Sequence, residues 1–373
     1  MMNRRDFLGR STAAALGVGP LSGCALAEEE SAGSLGDPAS RALRILILGG
    51  TGFIGPHQVQ FALSRGHTVT LFNRGRTNPN LFPDVEKLVG DRDGNLEALK
   101  GREWDVVLDN SGYDPRIVRD SAEVLRDAVV HYLFVSTQAV FADRSIMDQD
   151  ETGAVGMTGV PEDQWDGYGP LKALCEREVQ AVFGERSTMV RPPVIVGPGD
   201  NSDRFTYWVD RVDRGGEMLA PGNPSDPTQF VDARDLTEWM IHCVEDGITG
   251  TYNTTGPGAP LTMAGLLYGI WAVTNSPVHF TWVDADMLLE HGVRPFSDIP
   301  IWYPPVGSTA GFMRMNASRA QAQGLTYRPL AVTVAETLEW SKSRPADRRA
   351  NLRAGLSPER EAELLTAWHA QGA

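Results

Sequence analysis

The chain has 373 residues, of which 42% are hydrophobic and 22% are charged. This composition supplies enough apolar material for one large core or two smaller ones, and it excludes an intrinsically disordered chain. The formal net charge of −14 leaves no basic surface for a phosphate backbone, so nucleic acid is not an expected partner. Beyond the first 27 residues, no stretch of the sequence reaches about 18 apolar residues without a charge, which excludes a polytopic membrane protein.

The first residues resemble an export signal. Arg4 and Arg5 precede a short Ala/Gly-rich apolar run over 13–21, as in a twin-arginine signal. Two processing sites compete: Leu-Ser-Gly-Cys resembles a lipoprotein box with Cys24 as the acylated residue, and Ala-Leu-Ala at 25–27 resembles an ordinary signal-peptidase site. We therefore expect an exported protein that is periplasmic or lipid-anchored to the membrane.

A strand, a glycine turn and a helix follow one another after this segment. The β-rich run 44–48 is followed by Gly-Gly-Thr-Gly-Phe-Ile-Gly and by a helix-like segment to about Arg65. Glycines at this spacing let the backbone turn, approach a pyrophosphate and pack the helix on the sheet, while the helix N-terminus favours anions. The pattern predicts a dinucleotide site. The predicted contacts in this turn are Gly49, Thr51, Gly52, Phe53, Ile54 and Gly55.

The end of the second predicted strand, 67–72, indicates which dinucleotide binds. Asn73, Arg74 and Arg76 stand there, in place of the acidic residue that binds the ribose hydroxyls of NAD. A guanidinium can pair with a 2′-phosphate, so we favour NADP over NAD, with Arg74 as the first candidate and Arg76 as the second. A merely solvated arginine turn is the alternative.

Three further predicted strands each deliver polar residues to the same edge of the sheet. The strand near 87–89 leads to Asp91, the strand 105–108 leads to Ser111, and the strand 131–135 leads to Ser136 and Thr137. Ligands of open α/β sheets bind at this carboxyl edge.

Tyr168 and Lys172 form a Tyr-x-x-x-Lys pair. Because residues four apart share a helix face, we expect the ammonium to lie near the phenol and to lower its pKa toward neutrality. A phenol of that kind is a usable general acid and base. A surface helix pair is the alternative interpretation.

Together, these segments resemble the extended short-chain dehydrogenase/reductase family, which includes the NAD-dependent sugar epimerases and dehydratases. The resemblance covers about 44–340. It implies that Asp91 lies beside the adenine, that Thr137 is the catalytic hydroxyl with Ser136 as the fallback, and that Tyr168 and Lys172 contact the nicotinamide side of the cofactor. Pro192, after a sixth strand, would begin the loop that closes over the nicotinamide. The segment 109–113 departs from the small apolar residues of the family.

The resemblance also implies a Rossmann-type doubly wound parallel sheet with a smaller C-terminal substrate-binding region. We expect a signal peptide at 1–27, a flexible linker at 28–41, the NAD(P)-binding domain at 42–200, a substrate region at 201–345 with returning elements near 228–256, and a helical tail at 346–373. A closing strand and helix are expected over 315–340. Cys175 and Cys243 are expected to be buried thiols, and no metal site is expected among the scattered histidines.

The substrate should be chosen by the stretches 200–227 and 260–312. Their aromatic residues are more often core than ligand contacts, and Arg204 and Arg314 fit either an anion grip or a solvated surface. The aromatic candidates are Trp208, Trp271, Trp282, Trp302 and Tyr303.

We expect a redox-neutral, epimerase-like enzyme that acts on a carbohydrate or polyol. Dehydratase members usually carry an acidic pair after the catalytic threonine, and Gln138 and Ala139 stand here instead. An exported epimerase recycles its own cofactor, whereas a dehydrogenase needs a second substrate. A net NADP-dependent oxidoreductase and a non-catalytic dinucleotide-binding protein remain as alternatives. The expected partner is a small-molecule substrate, with membrane attachment only through Cys24 and with a homodimer left open.

Overall fold

The computed structural model describes residues 38–371, and the predicted signal peptide and the Cys24 site lie outside this range. A seven-stranded sheet forms the centre, in the order β10-β6-β5-β4-β1-β2-β3, and all of its strand pairs are parallel. Its strands are β1 (Arg44–Leu48), β2 (Thr68–Asn73), β3 (Glu86–Val89), β4 (Trp104–Asp109), β5 (Val129–Val135), β6 (Ser187–Arg191) and β10 (Gly250–Asn253). The predicted doubly wound Rossmann-type fold is confirmed.

Helices cover both faces of this sheet, which explains why its strands are continuous apolar runs. All four residues from Ile45 to Leu48 are fully buried. One face packs on α1 (Gly55–Ser64) and α5 (Ala233–Glu245), and the other packs on α2 (Pro115–Leu125) and α3 (Tyr168–Phe183). Cys243 lies in the first of these layers and Cys175 in the second. Both are buried free thiols, as predicted.

A second layer of structure stands at the carboxyl edge of the sheet. A three-stranded sheet and a two-stranded sheet enclose their own hydrophobic core there. The strands are β7 (Val194–Val196), β8 (Gly216–Pro221), β9 (Pro227–Asp232), β11 (Gly256–Thr262) and β12 (Val278–Val283). The helices are α4 (Thr206–Arg214), α6 (Met263–Thr274), α7 (Ala285–Glu290), α8 (Ser318–Ala322), α9 (Leu330–Ser343), α10 (Ala346–Ala350) and α11 (Pro358–Gln371). Fully buried Trp208 and Trp302 belong to this core, whereas Trp271 is exposed.

The expected closing strand after Met315 is wrong. No strand forms there, because the side-chain amide of Gln229 replaces a strand partner. It donates to the Met315 carbonyl at 3.0 Å and accepts from the Met315 N–H at 2.8 Å. Two short backbone stretches are thereby joined without a ladder, and the expected helix that follows is α9.

The C-terminal tail docks on the second layer through a buried carboxylate. Glu361 of α11 is 3% exposed and accepts hydrogen bonds from Arg211 at 2.7 Å, from Arg214 at 3.0 Å and from the Leu219 N–H at 3.0 Å. A charge buried this deeply needs such partners, so the tail is held in one position.

Between residues 38 and 371, no helix combines the length and apolar composition that a membrane span requires. In the same range, no three His, Cys, Asp or Glu side chains are grouped to hold a metal ion.

Candidate active site

Two connected cavities lie at the carboxyl ends of β1 and β4, where the strand order of the sheet reverses. Such a switch point is where open α/β sheets bind ligands. The larger cavity measures about 960 Å³ and the smaller about 340 Å³. Gly49, Gly52, Ser111 and Tyr113 line both, so the two form one elongated cleft.

Every residue that the sequence predicted for the cofactor or for the chemistry lines this cleft. The larger cavity holds Phe53, Ile54, Gly55, Thr137, Tyr168, Lys172 and Pro192 in addition to the shared residues. The smaller cavity holds Thr51, Asn73, Arg74, Arg76 and Asp91. Parallel topology brings these distant segments together, because each follows the carboxyl end of a strand or begins a helix there.

The glycine turn needs its glycines for two different reasons. Gly49 and Gly50 have φ values of +114° and +86°, which L side chains rarely adopt. A Cβ on Gly55 would lie 2.4 Å from the Gly50 carbonyl carbon, so this glycine lets α1 pack against the turn. A Cβ on Gly52 would meet no atom within 4 Å and would project into open space. A ligand can therefore approach the backbone at Gly52.

A buried amide pair that sequence reasoning missed fixes the turn to β4. Gln58 in α1 is fully buried, and it exchanges two hydrogen bonds with Asn110, at 3.1 Å and 2.6 Å. Asn110 lines the larger cavity, and its Cβ is the nearest atom to a Cβ built on Gly49. The pair therefore ties α1 to the wall of the cleft beside the glycine turn.

The smaller cavity has the chemistry of an adenosine-phosphate site. Arg74 and Arg76 are exposed along its wall, and neither forms an ion pair with a residue between 38 and 371. Asn73 bridges β2 to the glycine turn, donating to the Gly49 carbonyl at 3.3 Å. Asp91 lines the same cavity. The donors of this cavity are therefore free to meet an anionic ligand.

Beneath this cavity lies a second feature that the sequence did not reveal, a buried ion pair. The Asp109 carboxylate, fully buried, accepts two bonds from Arg92 at 2.7 and 2.9 Å and one from the Tyr132 hydroxyl at 2.7 Å. It also accepts from the Ser111 N–H at 3.1 Å. Asp109, where the family pattern is interrupted, therefore sets the shape of the loop 110–113.

Tyr168 stands at the N-terminus of α3, next to Thr137. The glycine that follows it explains the proximity, because a Cβ on Gly169 would lie 2.0 Å from the Ala139 carbonyl oxygen. Only a glycine lets α3 approach the turn that carries Thr137. The Thr137 side chain caps that turn, accepting from the Ala139 N–H at 3.2 Å.

The expected lowering of the Tyr168 pKa is wrong for this arrangement. The walls of the cleft desolvate the phenol and raise its pKa above the usual 10.0, and the neighbouring Tyr113 adds to this effect. Thr137, by hydrogen bonding, and the positive charge of Arg204 act in the opposite direction. The Lys172 ammonium donates instead to the backbone carbonyls of Gly112 and Val135.

Lys172 is 2% exposed and its ammonium is almost enclosed. Its Nζ donates to the carbonyls of Gly112 at 2.7 Å and Val135 at 2.6 Å, and it lies 4.0 Å from the centre of the Phe134 ring. Burial lowers its pKa to about 8, against the opposing attraction of Asp109. Two of the three N–H groups of the ammonium are thus bound, and one is left for a ligand.

Two enclosed polar atoms of the larger cavity have no hydrogen-bond partner among residues 38–371. The Ser136 hydroxyl and the Gln138 side-chain carbonyl are both enclosed and both line the larger cavity. Buried polar groups are costly without a hydrogen bond, and such orphans mark a ligand site. Together with the open backbone at Gly52, they fit a dinucleotide and its substrate.

The far end of the larger cavity is made by side chains from distant parts of the chain. Arg144, Arg204, Phe296, Tyr303 and Phe312 line it. Of the two arginines predicted as anion contacts, Arg204 is in the cleft, and Arg314 lies outside it. Arg144 was not predicted.

One family model matches residues 45–254 and describes the NAD dependent epimerase/dehydratase family. Among characterised proteins, the chain is 27% identical over 226 residues to the chloroplast stem-loop binding protein of 41 kDa b from Arabidopsis thaliana, a match that spans 56% of this chain and 57% of that protein. It is 24% identical over 328 residues to UDP-N-acetyl-alpha-D-glucosaminuronate decarboxylase from Bacillus cytotoxicus, spanning 80% of this chain and 97% of the decarboxylase.

Solved structures share the fold. UDP-N-acetylglucosamine 4-epimerase from Bacillus cereus superposes with a TM-score of 0.59 at 17% identity, covering 80% of this chain and 99% of that one. UDP-glucuronic acid 4-epimerase from the same species, solved in complex with NAD, superposes with a TM-score of 0.58 at 14% identity. The match covers 80% of this chain and 98% of that one. Since the family model spans more than half of the chain and its glycine turn, Tyr168 and Lys172 meet in one cleft, this protein is an enzyme of the NAD dependent epimerase/dehydratase family.

Proposed function

We propose that the protein is an exported, epimerase-like enzyme that acts by hydride transfer on a hydroxyl or ketone of a carbohydrate or polyol. One observation carries the proposal. The Tyr168 phenol lies beside Thr137 in a cleft of about 960 Å³ that is continuous with the glycine turn. A general acid/base therefore faces the position where the two halves of the cleft meet.

The residues of this chain would handle the substrate oxygen. The Tyr168 oxygen accepts the hydroxyl proton while the carbon gives up a hydride and becomes a carbonyl, and the phenol returns the proton when the hydride comes back. For the first step the raised pKa of the phenol has to be brought down, and the positive charge of Arg204 acts in that direction. Thr137 donates a hydrogen bond to that oxygen and fixes its position. Lys172, through its remaining N–H, holds the ribose side of the cofactor. A bound nicotinamide supplies the acceptor and donor of the hydride.

Epimerisation is favoured over net oxidoreduction and over dehydration. Gln138 and Ala139 occupy the positions of an acidic pair, so no carboxylate follows Thr137 to assist loss of water. Outside the cytoplasm, an enzyme that returns its hydride within one cycle needs no second substrate. Several structural neighbours are named as 4-epimerases of UDP-sugars, which agrees with this choice.

A turnover count separates the two readings. The purified full chain is given substrate without added dinucleotide, and product is counted against bound cofactor. An epimerase makes many products per cofactor and leaves its redox state unchanged. A net oxidoreductase stops after one turnover and leaves the cofactor reduced.

NADP is the cofactor that we propose, in preference to NAD. Arg74 and Arg76 are exposed along the smaller cavity and form no ion pair with a described residue, so both guanidiniums are available for a 2′-phosphate. Several neighbours were solved with NAD, so the preference would distinguish this chain from them. Titration with NADPH and NADH tests it. Arg74→Ala should weaken NADPH binding by about tenfold and leave NADH binding unchanged. Equal affinities of the wild-type chain for NADPH and NADH would contradict the preference for NADP.

Nucleic-acid binding is the second candidate, because one relative is named as a stem-loop binding protein. The chain spans only 57% of that relative, and its net charge of −14 opposes a phosphate backbone. We do not adopt it.

Export, with a signal at 1–27 and lipidation or cleavage near Cys24, remains part of the proposal, and mass spectrometry of the mature N-terminus tests it.

A further inference from the structure

Two arginines in the cleft lack the acidic partners that other enclosed arginines have. Within 38–371, buried Arg92, Arg191 and Arg211 each contact a carboxylate at 2.7 Å. Arg144 and Arg204 are half-buried in the wall of the larger cavity, and neither forms an ion pair in the same range. In a chain with 48 acidic and 34 basic residues, two unpaired cations in one cavity are unexpected.

Aromatic rings, rather than carboxylates, hold both guanidiniums. Arg144 lies 5.0 Å from the centre of the Phe312 ring, and Arg204 lies 5.2 Å from that of Phe296. The two rings and Tyr303 pack on one another, with centroids 5.2–6.1 Å apart. A guanidinium stacked on a ring keeps its N–H edge free for a ligand. Within 38–371, the guanidinium of Arg144 makes one weak hydrogen bond, to the Ala139 carbonyl at 3.4 Å, and that of Arg204 makes none.

The two charges converge close to the proposed acid/base. Both Arg144 and Arg204 act on Tyr303 and lower its pKa, against the larger effect of burial. Arg204 also lowers the pKa of Tyr168. Since Arg144, Arg204 and Tyr168 line one cavity, an anion bound between the arginines would lie in the same cleft as the substrate atom that Tyr168 serves.

Two carboxylates also line the larger cavity and do not neutralise the pair. Asp200 is 3% exposed. Its carboxylate accepts hydrogen bonds from the Ser202 N–H at 2.7 Å and from the Ser202 hydroxyl at 2.8 Å. Burial raises the pKa of Asp200, and the hydrogen bonds from Ser202 and the positive charge of Arg204 act in the opposite direction. Asp166 is exposed and accepts from the Gly167 N–H at 2.7 Å. Neither forms an ion pair with the arginines.

We propose that Arg144, Arg204 and the Tyr303 hydroxyl form a subsite for an anionic group, a carboxylate or a phosphate, carried by the substrate beside its reacting hydroxyl. The inference rests on the proposed function and names its substrate class: acidic sugars or polyols rather than neutral ones. Stacked guanidiniums in a partly enclosed cleft bind such groups bidentately, with little loss of side-chain freedom.

Calorimetry on the purified full chain tests the subsite with matched ligands. D-glucuronate and glucose 6-phosphate carry the two anions, and D-glucose is the neutral counterpart. We expect at least one anion to bind about tenfold more tightly than glucose. Arg144→Gln and Arg204→Gln should each lower that affinity about tenfold and leave glucose binding unchanged. Arg314→Gln is the control, since Arg314 lies outside the cleft and contacts Met147.

The outcomes separate the subsite from the proposed function. Preference for glucuronate supports a carboxylate as the anion, and preference for glucose 6-phosphate supports a phosphate. Three results would overturn the subsite. The first is the absence of anion binding, and the second is anion binding that is no tighter than glucose binding. The third is anion binding that is as strong in both glutamine variants as in the Arg314→Gln control. Dinucleotide released from the same preparation is identified by mass spectrometry. A chain without dinucleotide would count against the proposed function, whereas the anion comparison is read independently.

Discussion

At the dinucleotide end of the cleft, the backbone of one glycine turn, 49–55, contributes to the wall of both cavities, whereas at the substrate end side chains from separate segments form the wall. Backbone recognition suits a ligand part that never changes, since glycines cannot be varied without strain. Side-chain recognition suits a variable substrate, because arginine and aromatic residues can be exchanged while the sheet stays intact. Substitutions at the two ends should therefore fail in different ways.

Tyr168→Phe should have the largest effect, because it removes the acid/base where the two ends meet. We expect the rate of hydride transfer to fall by about 10²–10⁴-fold while dinucleotide content stays at the wild-type level. The measurement is turnover of the acidic sugar that the calorimetry identifies. An unchanged rate would remove Tyr168 from the chemistry.

The glycine turn offers a matched pair for the dinucleotide end. Gly52→Ala adds a methyl group that meets no protein atom within 4 Å, so the chain should fold normally and yet bind dinucleotide about 10–100-fold more weakly. Gly55→Ala instead forces a contact of 2.4 Å with the Gly50 backbone and should lower the melting temperature. Thermal unfolding and NADPH titration of both variants check this. Equal melting temperatures and equal NADPH affinities for the two variants would contradict the different roles of Gly52 and Gly55.

Tyr113 stands where the two cavities join, and its ring is 60% exposed. Tyr113→Ala should widen this neck and speed release of bound NADPH by about tenfold, because a buried contact with a ring of this size is lost. Tyr113→Phe, which keeps the ring, is the control and should release at the wild-type rate. Stopped-flow fluorescence of bound NADPH gives both rates, and equal rates for the alanine variant and the wild type would show that the ring retains nothing.

The smallest effect concerns pH. Lys172 titrates at a pKa of about 8 in the folded chain and near about 10.4 when unfolded. Between these values the unfolded chain binds more protons, so this residue makes the free energy of unfolding rise with pH across that window. Lys172→Met should lack the rise. Urea unfolding of both chains at about pH 8 and about pH 9.5 measures it, and parallel pH dependences would contradict the depressed pKa.

Local patterns predicted the dinucleotide end well. The bounds of β1 are those of the apolar run 44–48, and the glycine turn and Tyr168 with Lys172 follow from spacings of a few residues. Thr137 was found because it follows the predicted strand 131–135. Each of these features needs only one stretch of sequence to be recognised.

The remaining features depend on contacts between distant residues. Gln58 and Asn110 are 52 residues apart, and neither is unusual until α1 packs on β4. Arg144 gains a partner only when Phe312 returns to the cleft. The interruption of the family pattern at Asp109 was visible in the sequence, but its partner Arg92 was not.

The same reason explains the wrong expectations. A closing strand at Met315 is replaced by a side-chain amide from Gln229, which no local pattern encodes. The Tyr168 pKa depends on where the Lys172 ammonium lies, and that is set by the carbonyls of Gly112 and Val135.

The most direct test of the account is the identity of the dinucleotide that the full chain carries. The chain is purified with its N-terminal segment, denatured, and the released small molecules are identified and counted by mass spectrometry. The account predicts about one dinucleotide per chain. Release of NADP would support the role proposed for Arg74, and release of NAD would support a dinucleotide site without that role. A folded chain that releases none, and that binds neither NADP nor NAD on titration, would contradict it.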